Sequence, residues 1–355
     1  APPRVAFVFS GQGGQWLGMG RELMAAEPAF RAVLERCDAL VQAEAGWSVL
    51  AELSADAGRS RLDQFDVAQL TLLSLQVALA TLWGELGVRP DAVVGHSLGE
   101  VAAVHAAGAL SLQDAVRVVC RRSALMKRTA GQGAMAVVGL SAEQLADELE
   151  QLAGRVGVGA INSPESTVLS GERAAVEQLV QRLQGRDDAP FCRLVQVDVP
   201  AHSPQMEPLA AELVEQLDGL EASPPHTPIY STVLGARLVD LPGARYWGRN
   251  MREPVRFAAA IDALLDDGYR ALVEIGPHPV LWTPLLDCVQ RRGIEAAVVP
   301  STRREQPERA ALLASLGALH PAGVPVDWPR LAPGEQPPLS LPPYPWQGEA
   351  HWYGP

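Results

Sequence analysis

Lysine is almost missing from this 355-residue sequence: Lys127 stands alone, and the other 28 of its 29 basic residues are arginines. Positive charge is in deficit overall, 29 basic against 41 acidic residues for a net charge of −12. That balance excludes a general nucleic-acid binder, which needs a basic face for phosphates. Cysteine is scarce too. Cys37, Cys120, Cys192 and Cys288 stand singly, with no metal-ligand spacing, so no metal is expected. Cys120 falls in an apolar helical run, where a buried thiol is a plainer reading than a reactive one. The N-terminus has no signal-peptide pattern. Runs such as Asp91–Gly95 and Ala271–Gly276 are strand-sized, far short of the ~20 residues of a membrane helix. No membrane span and a cytoplasmic location are therefore expected. The first residue is Ala1 rather than Met, and a strand follows almost at once. The expectation is a piece of a longer polypeptide.

What is present is enough apolar chain for a large core, 48% hydrophobic residues. Val5–Phe9 reads as a buried strand running into the tight loop Ser10–Gly14, with a helix expected over Met19–Leu34. Val67–Leu86 is a long apolar-periodic segment, read as a buried helix. Ala92–Gly95 is a second buried strand. It turns at His96–Glu100 into the Ala-rich Val101–Ala109, and Leu112–Thr129 reads as a further helix. Such alternation predicts an α/β unit with a mainly parallel sheet. The middle differs. Strand Met135–Gly139, helix Ser141–Leu152, strands Val156–Asn162 and Ser166–Ser170, helix Glu172–Leu183 and strand Cys192–Val199 follow the β-α-β-β-α-β order of ferredoxin-like folds. Pro228–Thr232 and Ala271–Ile275 return to α/β style, with helix Ala258–Asp267 between them. The expected organisation is an α/β-hydrolase-like large subdomain from residues 1–130 and 200–320, with a ferredoxin-like subdomain inserted at 131–199. Residues 321–355 hold ten of the 29 prolines and three of the eight tryptophans. They read as a strap packed through Trp328, Tyr344, Trp346, Trp352 and Tyr353 rather than as an independent core.

The sharpest chemical signal is Gly95-His96-Ser97-Leu98-Gly99, a G-x-S-x-G motif between a strand and a helix. A strand-to-helix turn this sharp needs glycines on either side, where a Cβ would clash. It exposes the Ser97 hydroxyl and points the Leu98 amide at a developing oxyanion. The competing reading is a serine helix cap with chance glycines. A nucleophilic serine needs a base. His105 lies inside the following helix, and His226, His320 and His351 fall in loop or Pro-rich segments. The pattern leaves His202, after the last strand of the small subdomain, and His278, in Gly276-Pro277-His278-Pro279, equally open. A base on the rim between subdomains would put the site in the cleft. The loop after the first strand lacks a Lys-Ser/Thr, so it is no phosphate loop, but its position suits a second oxyanion amide, from Gln12. Arg121 and Arg122 point about 100° apart on a largely apolar helix, so one of them must turn inward, where a planar fork suits a carboxylate.

Together these features resemble the acyltransferase domain of modular polyketide synthases, related to bacterial malonyl-CoA:acyl-carrier-protein transacylases. The resemblance is carried by Phe9-Ser10-Gly11-Gln12-Gly13, Gln69, Gly95–Glu100, Arg121-Arg122-Ser123, Gly131–Met135, Ala160-Ile161-Asn162, His202-Ser203-Pro204, Tyr246-Trp247 with Asn250, and Gly276–Pro279. Leu341–Gln347 resembles the linker that follows such domains. The resemblance implies Ser97 as nucleophile and His202 as base. No acidic third member is implied; a backbone carbonyl at Asn250 orients the histidine. It implies the amides of Gln12 and Leu98 as oxyanion hole, Arg122 as the clamp for a substrate carboxylate, and Gln69 as a pocket residue. Met126, Val199, Pro200 and Ala201 join that pocket, and His278 becomes structural. It implies no bound cofactor, but a CoA thioester substrate and the phosphopantetheine of an acyl carrier protein. The partners implied are that carrier protein and the ketosynthase and other domains of the same synthase chain.

In this family His-Ala-Phe-His before the base resembles malonyl specificity and Tyr-Ala-Ser-His methylmalonyl specificity. Here the residues are Val199-Pro200-Ala201-His202, matching neither. Ala201 in place of a bulky Phe leaves room for an α-substituent, and Val197-Asp198 with Ser203–Met206 leans the same way. Leu98, where many methylmalonyl-type sequences have Gln, leans against it. The expected order is methylmalonyl, then ethylmalonyl or larger, then malonyl. A serine esterase or thioesterase would instead carry an acid between serine and histidine and a histidine near the C-terminus. A non-catalytic docking module would not need the elbow.

Overall fold

A computed structural model describes residues 2–331 together with Pro342 and Gly348. In chain order it begins β1 (Arg4–Phe9), α1 (Arg21–Ala26), α2 (Pro28–Ala45), α3 (Val49–Ser54), α4 (Phe65–Glu85), β2 (Ala92–Gly95), α5 (Gly99–Ala106) and α6 (Leu112–Lys127). A second group follows: β3 (Gly133–Val138), α7 (Ala146–Glu150), β4 (Val156–Ser163), β5 (Ser166–Glu172), α8 (Arg173–Gln184) and β6 (Cys192–Leu194). The chain then runs through α9 (Glu207–Gln216), β7 (Ile229–Ser231), β8 (Ala236–Arg237), α10 (Ala244–Arg252), α11 (Phe257–Asp266), β9 (Tyr269–Ile275), α12 (Trp282–Arg291), β10 (Ala297–Pro300), α13 (Glu308–Leu319) and α14 (Trp328–Leu331).

Two sheets result. The larger has the order β10-β9-β1-β2-β7-β8, parallel from β10 to β7, with β8 antiparallel at the edge. Strand alternation feeds two core layers: Phe7 and Phe9 pack with α2, α4, α5 and α6, while Ala6 and Val8 pack with α11 and α12. The smaller sheet is antiparallel in the order β4-β5-β3-β6, which puts its first strand between its third and fourth. That is the ferredoxin-like arrangement, with α8 burying Val176, Leu179 and Leu183 on it. The two sheets are tied where β4 meets the stretch before α11: Ile161 N–H donates to the Val255 carbonyl and Val255 N–H to the Gly159 carbonyl, each at 2.9 Å.

The register positions the site. Phe9 is level with Gly95 on one side and with Ile275 on the other. The loops that follow β1, β2 and β9 therefore leave the sheet together, at the carboxyl ends of parallel strands where open α/β sheets bind ligands.

Three expected elements differ. The helix expected over Met19–Leu34 is two helices, because Glu27 is extended (φ −118°) ahead of Pro28; the ring of a proline pushes the preceding residue out of the helical region. The expected helix Ser141–Leu152 keeps regular form over Ala146–Glu150 alone. The expected strand Cys192–Val199 ends at Leu194, and the rest runs irregularly toward Pro200. α4 also corrects the reading that all apolar runs are strand-sized, since by length and composition it could cross a membrane. Its residues are instead packed inside, with Leu70, Leu72, Leu73, Leu75, Leu79 and Leu82 in the main core.

Of the proline-rich segment, Asp327 is tied to the end of α4 by its N–H to the Leu86 carbonyl at 3.0 Å. Trp328 meets His320 edge-on yet stays 46% exposed. Tyr344, Trp346, Trp352, Tyr353, His351 and the Leu341–Gln347 motif lie outside the described residues, apart from Pro342.

Candidate active site

The turn after β2 is as tight as its glycines demand. A Cβ on Gly95 would stand 2.3 Å from the Glu100 backbone, and one on Gly99 would stand 2.2 Å from the Phe9 carbonyl oxygen. Between them Ser97 is held at φ 53°, a left-handed conformation that a residue with a Cβ adopts only when its surroundings impose it. Glu100, in the first turn of α5 and wholly buried, anchors the turn from beneath. It accepts from Thr232 N–H at 3.0 Å, from Asn250 Nδ2 at 2.7 Å and from the Tyr246 hydroxyl. Asn250 Nδ2 also donates to the Ser97 carbonyl at 3.2 Å. Burial raises the Glu100 pKa, while its Tyr246 and Asn250 hydrogen bonds hold it down.

His202 meets Ser97 from the other side of the cleft. Ser97 Oγ and His202 Nε2 are 2.7 Å apart. Nδ1 is 3.0 Å from the carbonyl oxygen of Glu253. A carbonyl can only accept, so Nδ1 carries the proton and Nε2 is left bare to accept from the serine. His202 shares the left-handed strain, at φ 60°. His278, the other candidate base, is not in contact with Ser97; its Nδ1 accepts from Arg304 N–H at 3.4 Å on the rim. The implied orienting carbonyl of Asn250 is not the main one. The hydrogen-bonded carbonyl is that of Glu253, with Asn250's backbone a lesser influence on the ring. The Asn250 side chain instead braces the serine turn. α10 ends at Arg252, which turns the Glu253 carbonyl out of the helix ladder and toward the ring.

Arg121 and Arg122 divide as the helical angle requires. Arg121 is exposed and paired with Glu44 at 3.4 Å, while Arg122 is wholly buried. Its Nη2 donates to Ser97 Oγ at 3.0 Å and its Nη1 to Gln69 Oε1 at 3.0 Å. Gln69 Nε2 in turn donates to Gln12 Oε1 at 3.1 Å. Burial lowers the Arg122 pKa to about 10, with Glu100 acting the other way. His202 is pushed down to about 3, first by burial and then by the charges of Arg122 and His96. At neutral pH His202 is therefore neutral and Arg122 charged.

Ser97, His202, Arg122, Gln12, Gln69, Met126 and Ala201 all line one cavity of about 190 Å³. Val199 and Pro200 do not. Val199 is wholly buried in the main core, and Pro200 lies against Gly133, where an added Cβ would stand 2.2 Å from its nitrogen. The wall they were expected to form comes from Val195 and Val197, alternate residues of the irregular run after β6. A helical or strand period does not reveal them, because that run belongs to neither. The Leu98 and Gln12 amides donate to no other group among the described residues. A larger open groove of about 910 Å³ lies elsewhere, rimmed by Glu143, Glu165, Asp262 and Asp287. No serine–histidine pair lines it, so the smaller cavity is the candidate site.

Motif reading missed the role of His96, whose Nε2 donates to Asn162 Oδ1 at 2.8 Å across the two subdomains. Both residues stood inside conspicuous motifs, but only their spatial meeting shows that they close one wall of the cavity. It also missed Glu100 and Glu253. The arrangement can support attack by a serine oxygen, proton transfer to a neutral imidazole, and capture of a small carboxylate by a buried guanidinium.

Residues 6–326 match the family model described as "Acyl transferase domain". The chain is 45% identical over 331 residues to a mycocerosic acid synthase-like polyketide synthase of Mycobacterium tuberculosis, covering 92% of this chain and 15% of that one. It is 39% identical over 355 residues to the erythronolide synthase EryA2 of Saccharopolyspora erythraea, covering 99% and 10%. It thus spans 15% or less of the length of these two relatives. Among solved structures, the acyltransferase domain from module 8 of the salinomycin polyketide synthase superposes with a TM-score of 0.89 at 36% identity, covering 92% of this chain and 77% of that one.

Proposed function

The chain belongs to the acyl transferase domain family, and from that premise we propose that it loads extender units in polyketide synthesis, moving an α-substituted malonyl group from CoA to an acyl carrier protein. The observation that carries this reading is the placing of one oxygen, Ser97 Oγ, between a bare imidazole nitrogen at 2.7 Å and a buried guanidinium at 3.0 Å. A hydrolase for uncharged acyl groups has no use for the second.

In the first half-reaction Ser97 Oγ attacks the thioester carbon as its proton passes to His202 Nε2. The electron pair of the carbonyl moves onto oxygen, where the amides of Gln12 and Leu98 receive it. Collapse expels the CoA thiolate, which takes the proton from His202. In the second half-reaction the thiol of a carrier-bound phosphopantetheine arm attacks the acyl-serine, with His202 again relaying the proton. This is covalent, two-step transfer through one site. Arg122 holds the substrate carboxylate throughout, and the Gln12–Gln69 pair holds Arg122.

Intact-mass measurement of the protein mixed with a pool of extender-CoAs tests the reaction class and the substrate together. One acyl adduct is expected on the wild type and none on Ser97→Ala; an adduct that persists on the variant would place the nucleophile elsewhere. Methylmalonyl is the expected adduct, because Ala201, Val195 and Val197 leave an apolar wall with room for an α-methyl group. Ala201→Phe fills that room and is expected to shift the malonyl-to-methylmalonyl ratio toward malonyl by about tenfold or more. An unchanged ratio removes the steric argument without touching the chemistry.

A further inference from the structure

We infer that Arg122 restrains the nucleophile in the free protein, and that a carboxylate seated on its guanidinium releases it, so that acyl groups are selected at the chemical step as well as in binding. The inference rests on the acyl-transfer reading above and adds a second role for the same residue.

The geometry begins with how the fork is spent. Of the three nitrogens of Arg122, Nη1 serves Gln69, Nη2 serves Ser97 Oγ, and Nε is buried with no acceptor among the described residues. Nε and Nη2 form one edge of the guanidinium, the edge that takes a carboxylate with two parallel hydrogen bonds. Nε is orphaned, and Nη2, which carries two hydrogens, already gives one to the nucleophile. A carboxylate on this edge shares Nη2 with Ser97 Oγ, and its negative charge weakens the hold of the guanidinium on the serine lone pair.

Charge follows the same path. Arg122 and His202 each sit one hydrogen bond from the same oxygen. When Ser97 attacks, the negative charge does not stay on Oγ. It passes to the carbonyl oxygen, while the proton stays on His202. The transition state therefore sets an imidazolium beside a guanidinium, and both are buried. Little else nearby relieves this. His96 is a further nitrogen base bound to Asn162, and it too works against a charged His202. Glu100 is the carboxylate felt by Arg122, but it makes no direct contact and its oxygens already serve Thr232, Tyr246 and Asn250. The Glu253 carboxylate is turned to Arg249 and Arg256, and only its carbonyl faces the ring. A substrate carboxylate is the missing counter-charge. Like charges this close in a protein interior are worth tenfold or more in rate, on the order of the gain expected when one of them is neutralised.

Phenylmethylsulfonyl fluoride, an uncharged reagent, reads the state of Ser97 without any CoA substrate. The serine oxygen forms a bond to sulfur, the sulfur–fluorine bond breaks, and the proton leaves with fluoride through His202. Formate, the smallest carboxylate, is expected to accelerate this labelling by about tenfold over chloride at equal ionic strength. Arg122→Gln is expected to label fast without formate and to ignore it, whereas Arg122→Lys, which keeps the charge, stays slow and formate-sensitive. Labelling of the wild type that formate slows or leaves unchanged overturns the inference, whether or not the glutamine variant folds. If the wild type responds to formate yet forms no acyl adduct from any extender-CoA, the transfer reading fails and this one stands.

Discussion

His202→Ala is expected to slow acylation of Ser97 by about 10³-fold, the usual scale for losing a positioned general base. The rest of the machinery stays: Arg122 still reaches Ser97 Oγ, and the serine turn is held by Glu100 and Asn250 independently of the imidazole. Quench-flow followed by intact mass reads the adduct rate. A loss under tenfold would mean that another group takes the proton. The pH profile supplies a second check. With its pKa pressed to about 3 by burial and by Arg122 and His96, His202 remains neutral well below pH 6.5. The wild-type rate should therefore show no titration near 6.5, where an ordinary histidine would switch off. The same depression affects stability. The unfolded chain takes up a proton on His202 below about 6.5 while the folded chain does so only near 3, so this residue costs stability as pH falls through that window. His202→Ala removes that contribution, and its melting temperature should fall less steeply than the wild type's between pH 6.5 and 4.

Gly99→Ala is expected to be among the most disruptive single methyls in the described residues, costing about 3 kcal/mol of stability and abolishing the acyl adduct. Its Cβ would stand 2.2 Å from the Phe9 carbonyl oxygen and 2.5 Å from that of Ser10. Both are backbone atoms at the end of the central strand, and neither can yield as a side-chain tip can. Relief requires α5 to move away from β1, which carries Ser97 off His202. Gly317→Ala makes the opposite prediction. That glycine is exposed on α13 with no atom within 4 Å of an added Cβ, so alanine should stabilise by about 1 kcal/mol through helix propensity. Thermal unfolding of the two variants should shift in opposite directions. A tolerated Gly99→Ala would show that the turn is looser than its contacts imply.

Periodicity and turn chemistry made most of the fold legible. The unbroken apolar run Val5–Phe9 foretells a strand buried on both faces, and the β-α-β-β-α-β order of the middle segment foretells the second sheet. The misses have local causes. Pro28 divides a helix that its apolar pattern alone would continue, and Val195–Val199 leaves the sheet after β6 while keeping alternate residues on the cavity. The site was legible where its chemistry is local. The G-x-S-x-G turn announces the serine, and adjacent arginines on one helix force one of them inward. It was illegible where the partners come from distant segments. Nothing in the neighbourhood of Glu253 in the sequence marks its carbonyl as the acceptor for His202 Nδ1, and nothing near Pro200 says that Gly133 takes its side of the contact.

The sequence by itself picked out the serine of the sharp turn, the two kinds of sheet and the need for one inward arginine, because each depends on local pattern. The residue pattern left His202 and His278 equally open and the family resemblance implied His202; the tertiary structure set His202 beside Ser97, and it alone put the Glu253 carbonyl on the ring and exchanged Val199 and Pro200 for Val195 and Val197 in the cavity wall. It alone showed that Arg122 donates to the serine oxygen it would otherwise only neighbour. Those facts depend on the register that levels the ends of β1, β2 and β9, and on the contact of β4 with Val255 that brings the smaller sheet against the larger. Hydrogen bonds a hundred residues apart are set by that docking, and no local pattern encodes it.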